Sequence, residues 1–198
     1  MNCYVLAGGR SQRMGESKID VPFAGTTFLG RITEAASRVF ERVIAVQRTA
    51  GEPVSGLETI YETPHEFEAP LFGVQRALQH AGERCFVLAV DYPLITADLL
   101  RYLRARFEET AAPALIPVWN ERQQVLCAGY APKLLPAMEK QIAAERFDLR
   151  GIFADAEVIP EQTLRGRFAG EPLMNVNNPD ELEEAKQLYG QQGLLASR

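Results

Sequence analysis

The chain has 198 residues, of which 46% are hydrophobic and 24% are charged, and its formal net charge at pH 7 is -5. These proportions are typical of a folded domain and exclude a disordered tail or a coiled coil. A negative net charge gives no general attraction to nucleic acid or to an anionic membrane surface, so we expect neither as a partner. An anionic ligand would need a local patch of positive charge.

The predicted elements alternate between short apolar runs and segments with helical period. In chain order they are a strand at 2–7, a helix at 27–40, strands at 42–47 and 57–61, a helix at 70–81, a strand at 85–90, a helix at 96–107, strands at 114–118 and 124–130, a helix at 132–144, and a last helix that Pro179 opens. Residues 118–170 are less regular, and we expect insertions there that shape a substrate site.

This alternation is typical of βαβ units. We therefore predict the α/β class, with one mostly parallel twisted sheet that carries helices on both faces in a Rossmann-like arrangement. We expect a single domain over residues 1–198. In such folds ligands gather at the carboxyl ends of the strands, so the residues directly after each strand are candidates for a site.

The cysteines and the hydropathy pattern predict a cytoplasmic protein. Cys3, Cys85 and Cys127 are an odd number, lie far apart and lack Cys-x-x-Cys spacing, so we expect buried thiols rather than disulfides. No apolar run approaches the roughly 20 residues that a membrane-spanning helix needs. Residues 1–7 are followed at once by glycines and charges, which is unlike a signal peptide.

The segment after the first predicted strand is rich in glycine and positive charge. Residues 6–18 read LAGGRSQRMGESK. Gly8 and Gly9 permit a sharp turn and a close approach of the backbone to a ligand, and the N–H groups of such a loop can surround an anion. Ser11 adds a hydroxyl donor, and Arg13 and Lys18 add positive charge. By itself such a turn could be an ordinary tight connection, with Lys18 a solvated surface charge.

The segment matches neither of two common phosphate-binding motifs. It is not a P-loop, because Gly15 is followed by Glu16 rather than by lysine. It also lacks the G-x-G-x-x-G pattern of dinucleotide-binding folds.

The full string resembles the LAGGxSxRMGxxK signature of the MobA-like nucleotidyltransferases, which include the molybdenum-cofactor guanylyltransferases. Other segments are similar to those of the family: PFAGTTFLGRI at 22–32, APLFGV at 69–74, VLAVDYPLI at 87–95 and NVNNPDELEEA at 175–185. Ala69 stands where the family has glycine. The resemblance extends from Met1 to about Leu188.

The resemblance implies a reaction between two phosphate-bearing anions. The phosphate of molybdopterin attacks the α-phosphorus of a nucleoside triphosphate, and pyrophosphate leaves. GTP and molybdopterin would be the small-molecule substrates and Mg²⁺ the cofactor, with transient contact to cofactor-delivery proteins or molybdoenzymes left open. Positive charge is needed because the two anions repel each other.

Site residues are assigned on the same resemblance. Lys18, Arg13 and Asp91 are the candidate catalytic residues, and Asp91 and Asn177 are the candidate ligands of Mg²⁺. Asp91 follows the fourth strand, where a carboxylate suits Mg²⁺ while phosphate oxygens complete the coordination shell. Asp91 could instead cap the next helix. The candidate nucleotide-binding residues are Leu6, Ala7, Gly8, Gly9, Ser11, Lys18, Gln47, Glu62 and Asp91.

Two departures from the family keep alternatives open. Glu62 stands where the family often has aspartate, and Gln47 where it often has asparagine, so each functional group sits on a longer arm. The Ala7-Gly8-Gly9 run is similar to the guanylyl branch of the family, and this resemblance implies GTP rather than CTP. Three alternatives stay open. The nucleotide could be CTP, the acceptor could be a different phosphorylated molecule, or the protein could bind a nucleotide without turnover and serve in cofactor delivery.

Two residues of the irregular region have alternative interpretations. Trp119 could stack on a pterin or support a hairpin or an interface. Arg150 could meet a pterin phosphate or form a surface salt bridge.

Overall fold

The centre of the fold is an eight-stranded, mixed sheet. The structure is a computed structural model that describes residues 1–8, 18–48 and 52–196. Gly9, Ser11 and Arg13 lie outside the described residues. The strands are β1 (Cys3–Leu6), β2 (Pro22–Phe23), β3 (Thr26–Thr27), β4 (Val43–Gln47), β5 (Glu58–Tyr61), β6 (Cys85–Ala89), β7 (Ala114–Trp119), β8 (Arg122–Gln123), β9 (Cys127–Tyr130) and β10 (Glu157–Ile159).

The strand order of the sheet is β10–β7–β9–β6–β1–β4–β5, with β8 paired to β7 and with β2 and β3 forming a separate small hairpin. Strand β1 is parallel to both β4 and β6, and β5 and β10 are parallel to their neighbours. Strand β9 is antiparallel to both β6 and β7. The sheet is therefore mostly parallel, as predicted, and β9 is a reversal that the alternation pattern did not predict.

Six α-helices accompany the described strands. They are α1 (Phe28–Ser37), α2 (Pro70–Ala81), α3 (Ala97–Glu109), α4 (Leu135–Ala143), α5 (Glu161–Arg165) and α6 (Pro179–Ala196). The side chains of Thr27 and Thr96 accept hydrogen bonds from the backbone N–H groups of Gly30 and Leu99, which caps α1 and α3. Three short 3₁₀ helices lie at Lys18–Asp20, Pro132–Leu134 and Arg150–Ile152.

The helices cover both faces of the sheet because alternate strand residues point in opposite directions. Cys3 and Val5 of β1 pack on one side in the cluster that includes α1 and α3. Tyr4 packs on the other side with α2 and α4. The predicted α/β class with a two-sided sheet is confirmed.

Two predicted boundaries differ from the structure for identifiable reasons. The strand predicted at 124–130 begins only at Cys127, because Gln124 accepts a hydrogen bond from the Cys127 N–H and turns the chain. The helix predicted at 132–144 divides into a 3₁₀ turn and α4. Pro136 has no N–H with which to continue a regular helix from Pro132.

The expectation for the cysteines is confirmed: Cys3, Cys85 and Cys127 are buried and free. Among the described residues, no helix combines the length and the apolar character that crossing a bilayer requires.

The contact between β9 and α3 predicts one stability effect. A Cβ on Gly129 would lie 2.4 Å from Cδ1 of Phe107, whose ring is fully buried. We expect Gly129→Ala to lower the free energy of unfolding by about 1–3 kcal/mol, measured by denaturant titration, because a close-packed ring cannot yield.

Gly190→Ala is the matched control for this prediction. Gly190 lies in α6 with no atom within 4 Å of an added Cβ, so alanine should be neutral or stabilising by up to ~1 kcal/mol. Equal stabilities for the Gly129→Ala protein and the wild type would contradict the packing described.

Candidate active site

Two neighbouring parallel strands bring the central charged residues together. Leu6 at the end of β1 is paired with Ala89 at the end of β6. The chain leaves β6 and reaches Asp91 two residues later, while Lys18 begins the 3₁₀ helix Lys18–Asp20. Because carboxyl ends of parallel strands share one edge of the sheet, residues far apart in sequence meet there.

Lys18 bridges Asp91 and Asn177. Its Nζ lies 3.4 Å from Oδ2 of Asp91 and donates a hydrogen bond of 2.7 Å to Oδ1 of Asn177. The side chains of Lys18 and Asp91 are 16% and 14% exposed, so this ion pair is largely shielded from water. The structure thus brings together the candidate catalytic cation and both candidate metal ligands.

The segment that carries Asn177 is fixed to Asp91 through the backbone. The Val176 N–H donates a 2.8 Å hydrogen bond to the Asp91 carbonyl oxygen, and the Val176 side chain is fully buried. Asn175 and Asn177 flank Val176, and Nδ2 of Asn177 donates to Oδ1 of Asn175. These contacts put both amides beside the carboxylate.

The start of α6 holds the same segment from the other side. Oε2 of Glu181 accepts a 2.5 Å hydrogen bond from the Asn177 N–H. Oδ1 of Asn178 accepts one of 2.9 Å from the Glu181 N–H. This reciprocal arrangement resembles a capping box, and it explains why Asn178 acts as a turn residue.

Asp91 is a buried carboxylate that is only partly compensated. Burial raises the pKa of Asp91 above its ordinary value, and the proximity of Lys18 and Asn175 opposes that rise. No described residue forms a hydrogen bond to Oδ1, which is buried. A buried acceptor without a donor is costly, so this oxygen is suited to a cation ligand.

The described residues contain no cluster of three or more His, Cys, Asp or Glu side chains that could enclose a metal ion. A metal at Asp91 would therefore have one carboxylate and neutral oxygen ligands from the protein. That donor set fits Mg²⁺, which usually takes one or two carboxylates and completes its shell with phosphate and water.

A small cavity of about 210 Å³ lies on one side of the ion pair. Its floor includes the ends of β1 and β6, and its charged lining residues are Lys18, Arg48, Glu62, Glu68 and Asp91. Leu6 and Gly8, two of the candidate nucleotide-binding residues, also line it, and their role stays a prediction. Ala7 instead packs into an apolar cluster with Ala45 and Val54.

Gly8 is required by the close approach of two chain segments. A Cβ at this position would lie 2.9 Å from Cγ and 3.1 Å from the backbone N of Arg48. The glycine thus lets the strand ends converge at the cavity wall.

Gln47 does not line the small cavity that Lys18 and Asp91 border. Its side chain is buried, donates through Nε2 to the carbonyl oxygen of Glu52 at 3.4 Å, and lines a separate cavity of about 790 Å³. Successive strand residues point to opposite faces, so Arg48, the next residue, lines the smaller cavity in its place. The role of Gln47 as a nucleotide ligand stays a prediction.

Arg48 is a cavity residue that the sequence interpretation did not select. Its guanidinium forms an ion pair with Glu68, which lines the same cavity. Two features of the sequence could have identified Arg48. It directly follows the predicted strand at 42–47, and side chains of successive strand residues point to opposite faces, so Gln47 and Arg48 point in different directions.

Glu62 reaches the cavity despite its longer side chain. Oε1 of Glu62 would lie 3.0 Å from a Cβ on Gly73, so the missing side chain in the first turn of α2 leaves room for the extra methylene. Burial raises the pKa of Glu62, and Arg48 opposes this effect.

A larger cleft of about 1310 Å³ also includes Asp91 in its lining. It is bordered by Tyr92, by the amides Asn175 and Asn177, and by the turn between β7 and β8. Asp91 lines both the small cavity and this cleft. The carboxylate therefore stands where two ligand-sized spaces meet.

Trp119 supports the β7–β8 hairpin and is not available to stack on a pterin. The ring is fully buried, Nε1 donates a 2.8 Å hydrogen bond to Oε2 of Glu171, and the guanidinium carbon of Arg165 lies 4.1 Å from the ring centroid. A ring covered in this way has no free face for a ligand. The side chain of Arg150 lies outside the described part of the chain.

Comparison with known proteins agrees with this geometry. The model of the MobA-like NTP transferase domain matches residues 3–161. A relative from Aquifex aeolicus named probable molybdenum cofactor guanylyltransferase is 32% identical over 187 residues, which cover 91% of this chain and 88% of the relative. A relative of the same name from Pelotomaculum thermopropionicum is 29% identical, covering 92% of this chain and 90% of its own.

Solved structures give the same family and a wider set with the same fold. The crystal structure of molybdopterin-guanine dinucleotide biosynthesis protein A from Archaeoglobus fulgidus has a TM-score of 0.81 and 25% identity, covering 96% of this chain and all of that one. A cytidylyltransferase for 2-C-methyl-D-erythritol 4-phosphate from Thermus thermophilus shares only the fold, with a TM-score of 0.65 and 15% identity over 94% of this chain and 97% of its own. The chain belongs to the MobA-like NTP transferase family.

Proposed function

We propose that this protein transfers GMP from GTP to the phosphate of molybdopterin and releases pyrophosphate, so that a guanine dinucleotide form of the cofactor results. The observation that carries the proposal is the position of Asp91, paired with Lys18, at the junction of a small cavity and a large cleft. A transfer between two anions needs two binding spaces that meet at a centre of positive charge. The names of the relatives support the same reaction.

The small cavity would receive the nucleotide and the large cleft the acceptor. Lys18 and Arg48 are the cations of its described lining, and Mg²⁺ at Asp91 would offset the carboxylates that face a triphosphate there. The large cleft has room for a tricyclic pterin beside Asp91. The reaction would take place at the boundary that the two spaces share.

Lys18 is proposed to stabilise charge on the α-phosphate as the bond to pyrophosphate breaks. Its ammonium group is a compact, mobile charge that can leave Asn177 and follow the phosphate. Phosphoryl transfer of this kind depends on positioning and electrostatic stabilisation rather than on covalent chemistry by the protein. Arg13, which lies outside the described residues, is proposed to assist.

Mg²⁺ is the proposed cofactor, held by Asp91 with Asn177. The unpartnered Oδ1 of Asp91 and the amide oxygen of Asn177 are oxygen ligands of the type that Mg²⁺ prefers. When bound, the ion would offset negative charge on the triphosphate. We further propose that the chain is a single domain that acts on small molecules in the cytoplasm.

Glu62 is proposed to recognise guanine. An ionised carboxylate can accept two hydrogen bonds, from N1–H and from the exocyclic amine of guanine. Cytosine offers no such pair of adjacent donors in its neutral form. The room provided by Gly73 supports the view that glutamate replaces aspartate here without loss of this contact.

The first prediction concerns catalysis. Asp91→Ala should abolish turnover, and Lys18→Ala should lower kcat roughly 100- to 1000-fold, the scale of losing one group that stabilises a transition state. Pyrophosphate release with GTP, Mg²⁺ and molybdopterin measures both.

Exposed residues provide the controls for this prediction. Asp98 and Lys133 lie outside both cavities, so Asp98→Asn and Lys133→Ala should keep full activity. Full activity in the Asp91→Ala protein would refute the proposed role of the carboxylate.

The second prediction concerns the metal and pH. With GTP present, Mg²⁺ at ten times its dissociation constant should raise the free energy of unfolding of the wild type by about 1.4 kcal/mol over an EDTA control. Asp91→Asn should lose this increment, since it removes the ionised ligand.

Without ligands, the raised pKa of Asp91 means that the folded protein binds this proton more firmly than the unfolded chain. The wild type should therefore gain stability relative to Asp91→Asn as the pH falls from 7 through the raised pKa to the ordinary value of about 3.9. An opposite slope of the difference would contradict the assignment.

The third prediction concerns the base. Glu62→Gln should raise KM for GTP about 10- to 100-fold, because the amide presents a donor to a guanine donor and loses charge-assisted bonds. Glu66→Gln, on an exposed residue of the same loop, is the control. Unchanged discrimination between GTP and CTP in the Glu62→Gln protein would show that another group selects the base.

A further inference from the structure

The large cleft beside Asp91 is lined mainly by negative charge. Its described lining residues include five carboxylates and a single cation, Arg122. The carboxylates are Asp91, Glu121, Glu171, Glu181 and Glu184. An acceptor that carries a phosphate would be repelled by this surface unless a cation holds it.

Arg165, which contacts the cleft residues Trp119, Asn120 and Glu171, is already engaged. Its guanidinium forms ion pairs with Glu161 and Glu171 at 2.7 and 3.0 Å, and it donates a 2.9 Å hydrogen bond to Oδ1 of Asn120. It also stacks on Trp119. Arg165 therefore stabilises the β7–β8 hairpin, and its charge is already paired with carboxylates.

Arg122 differs in that no described carboxylate lies within ion-pair distance of its guanidinium. Arginines elsewhere on the surface, such as Arg101, Arg104 and Arg106 of α3, each have a carboxylate partner. An exposed cation left unpaired beside an acidic cleft is available to an anionic ligand.

The backbone that carries Arg122 is held firmly. Trp119 and Arg122 face each other in the β7–β8 pairing, and the two turn residues Asn120 and Glu121 have φ values of 48° and 60°. Nε2 of Gln124 donates to the carbonyl oxygens of Trp119 and Arg122 at 2.9 and 3.2 Å. The Glu121 N–H also donates to Glu161 at 3.0 Å.

The hairpin is tied to the reaction centre through one side-chain contact. Oε1 of Gln124 accepts a 3.1 Å hydrogen bond from the hydroxyl group of Tyr92, which directly follows Asp91 and is 2% exposed. Gln124 thus links the strand end that carries Asp91 to the strand that carries Arg122. The position of Arg122 relative to the carboxylate is therefore set by the fold.

We propose that Arg122 binds the phosphate of the acceptor in the large cleft and thereby determines acceptor affinity. This inference rests on the proposed function, since it assigns one residue to the second substrate of that reaction. A guanidinium suits the task because its fork of N–H donors matches two phosphate oxygens. Its attraction offsets the repulsion from the surrounding carboxylates while the acceptor approaches.

The test compares Arg122→Gln and Arg122→Lys with the wild type in two measurements. Arg122→Gln should raise KM for molybdopterin about 10- to 100-fold, with KM for GTP unchanged. Arg122→Lys should recover part of the loss, since it keeps the charge but not the fork. Arg101→Gln, on an exposed arginine of α3, is the matched control and should leave both KM values unchanged.

A binding measurement isolates the phosphate. A fluorescent pterin with a side-chain phosphate should bind Arg122→Gln about 10- to 100-fold more weakly than the wild type. The same pterin without the phosphate should bind both proteins equally. Isothermal titration with GTP should give equal affinities, which confirms that the nucleotide side is intact.

The outcomes separate this inference from the proposed function. If the wild type turns over molybdopterin and Arg122→Gln does so with the same KM, the assignment of Arg122 is overturned and the proposed function stands. An equal loss of affinity for both pterins would likewise overturn the phosphate contact. If the wild type binds GTP but neither binds nor converts molybdopterin, the proposed function fails and the assignment fails with it.

Discussion

The candidate site depends on the neutralisation of one buried carboxylate at the place where two parallel strands end. Asp91 loses most of its contact with water. Lys18, which is 73 residues away from it along the chain, supplies the opposite charge. Asn177, which is 159 residues from Lys18, accepts a hydrogen bond from the same ammonium group. Such a pair contributes little net stability, because desolvation offsets most of the attraction between the charges. We propose that its value is functional, since it keeps a charged centre in place where the linings of the two cavities share Asp91.

The surrounding fold fixes this centre without covering it. Backbone hydrogen bonds attach the asparagine segment to Asp91, and the start of α6 holds that segment in turn. Gln124 accepts a hydrogen bond from Tyr92, which directly follows Asp91. The β7–β8 hairpin, which borders the large cleft, is therefore held to the same strand end as Asp91. These contacts hold the backbone around Asp91 in place, so only side chains such as that of Lys18 need to move when a ligand binds.

Much of the fold could be predicted from the sequence, because apolar periodicity reports directly on burial. The strands around β1 and the threonine caps of α1 and α3 follow from local signals. The reversed strand β9 could not be predicted, since an apolar run of a few residues carries no information on direction. The division of the helix at Pro136 was available in the sequence but was not used.

The site was predictable where it depends on strand ends and less so where it depends on side-chain direction. Lys18, Asp91 and Asn177 were selected, and they meet. Gln47 and Arg48 follow the same strand, and only alternation of the faces determines which of them reaches the small cavity. Trp119 was ambiguous because its partners Glu171 and Arg165 come from distant segments that no local pattern identifies.

The most direct test of the account is a crystal structure of the protein with GTP and Mg²⁺. We expect the α-phosphate between Lys18 and Asp91, the guanine beside Glu62, and the large cleft free for the acceptor. A triphosphate bound instead in the separate cavity that Gln47 lines, away from Lys18 and Asp91, would contradict the central claim.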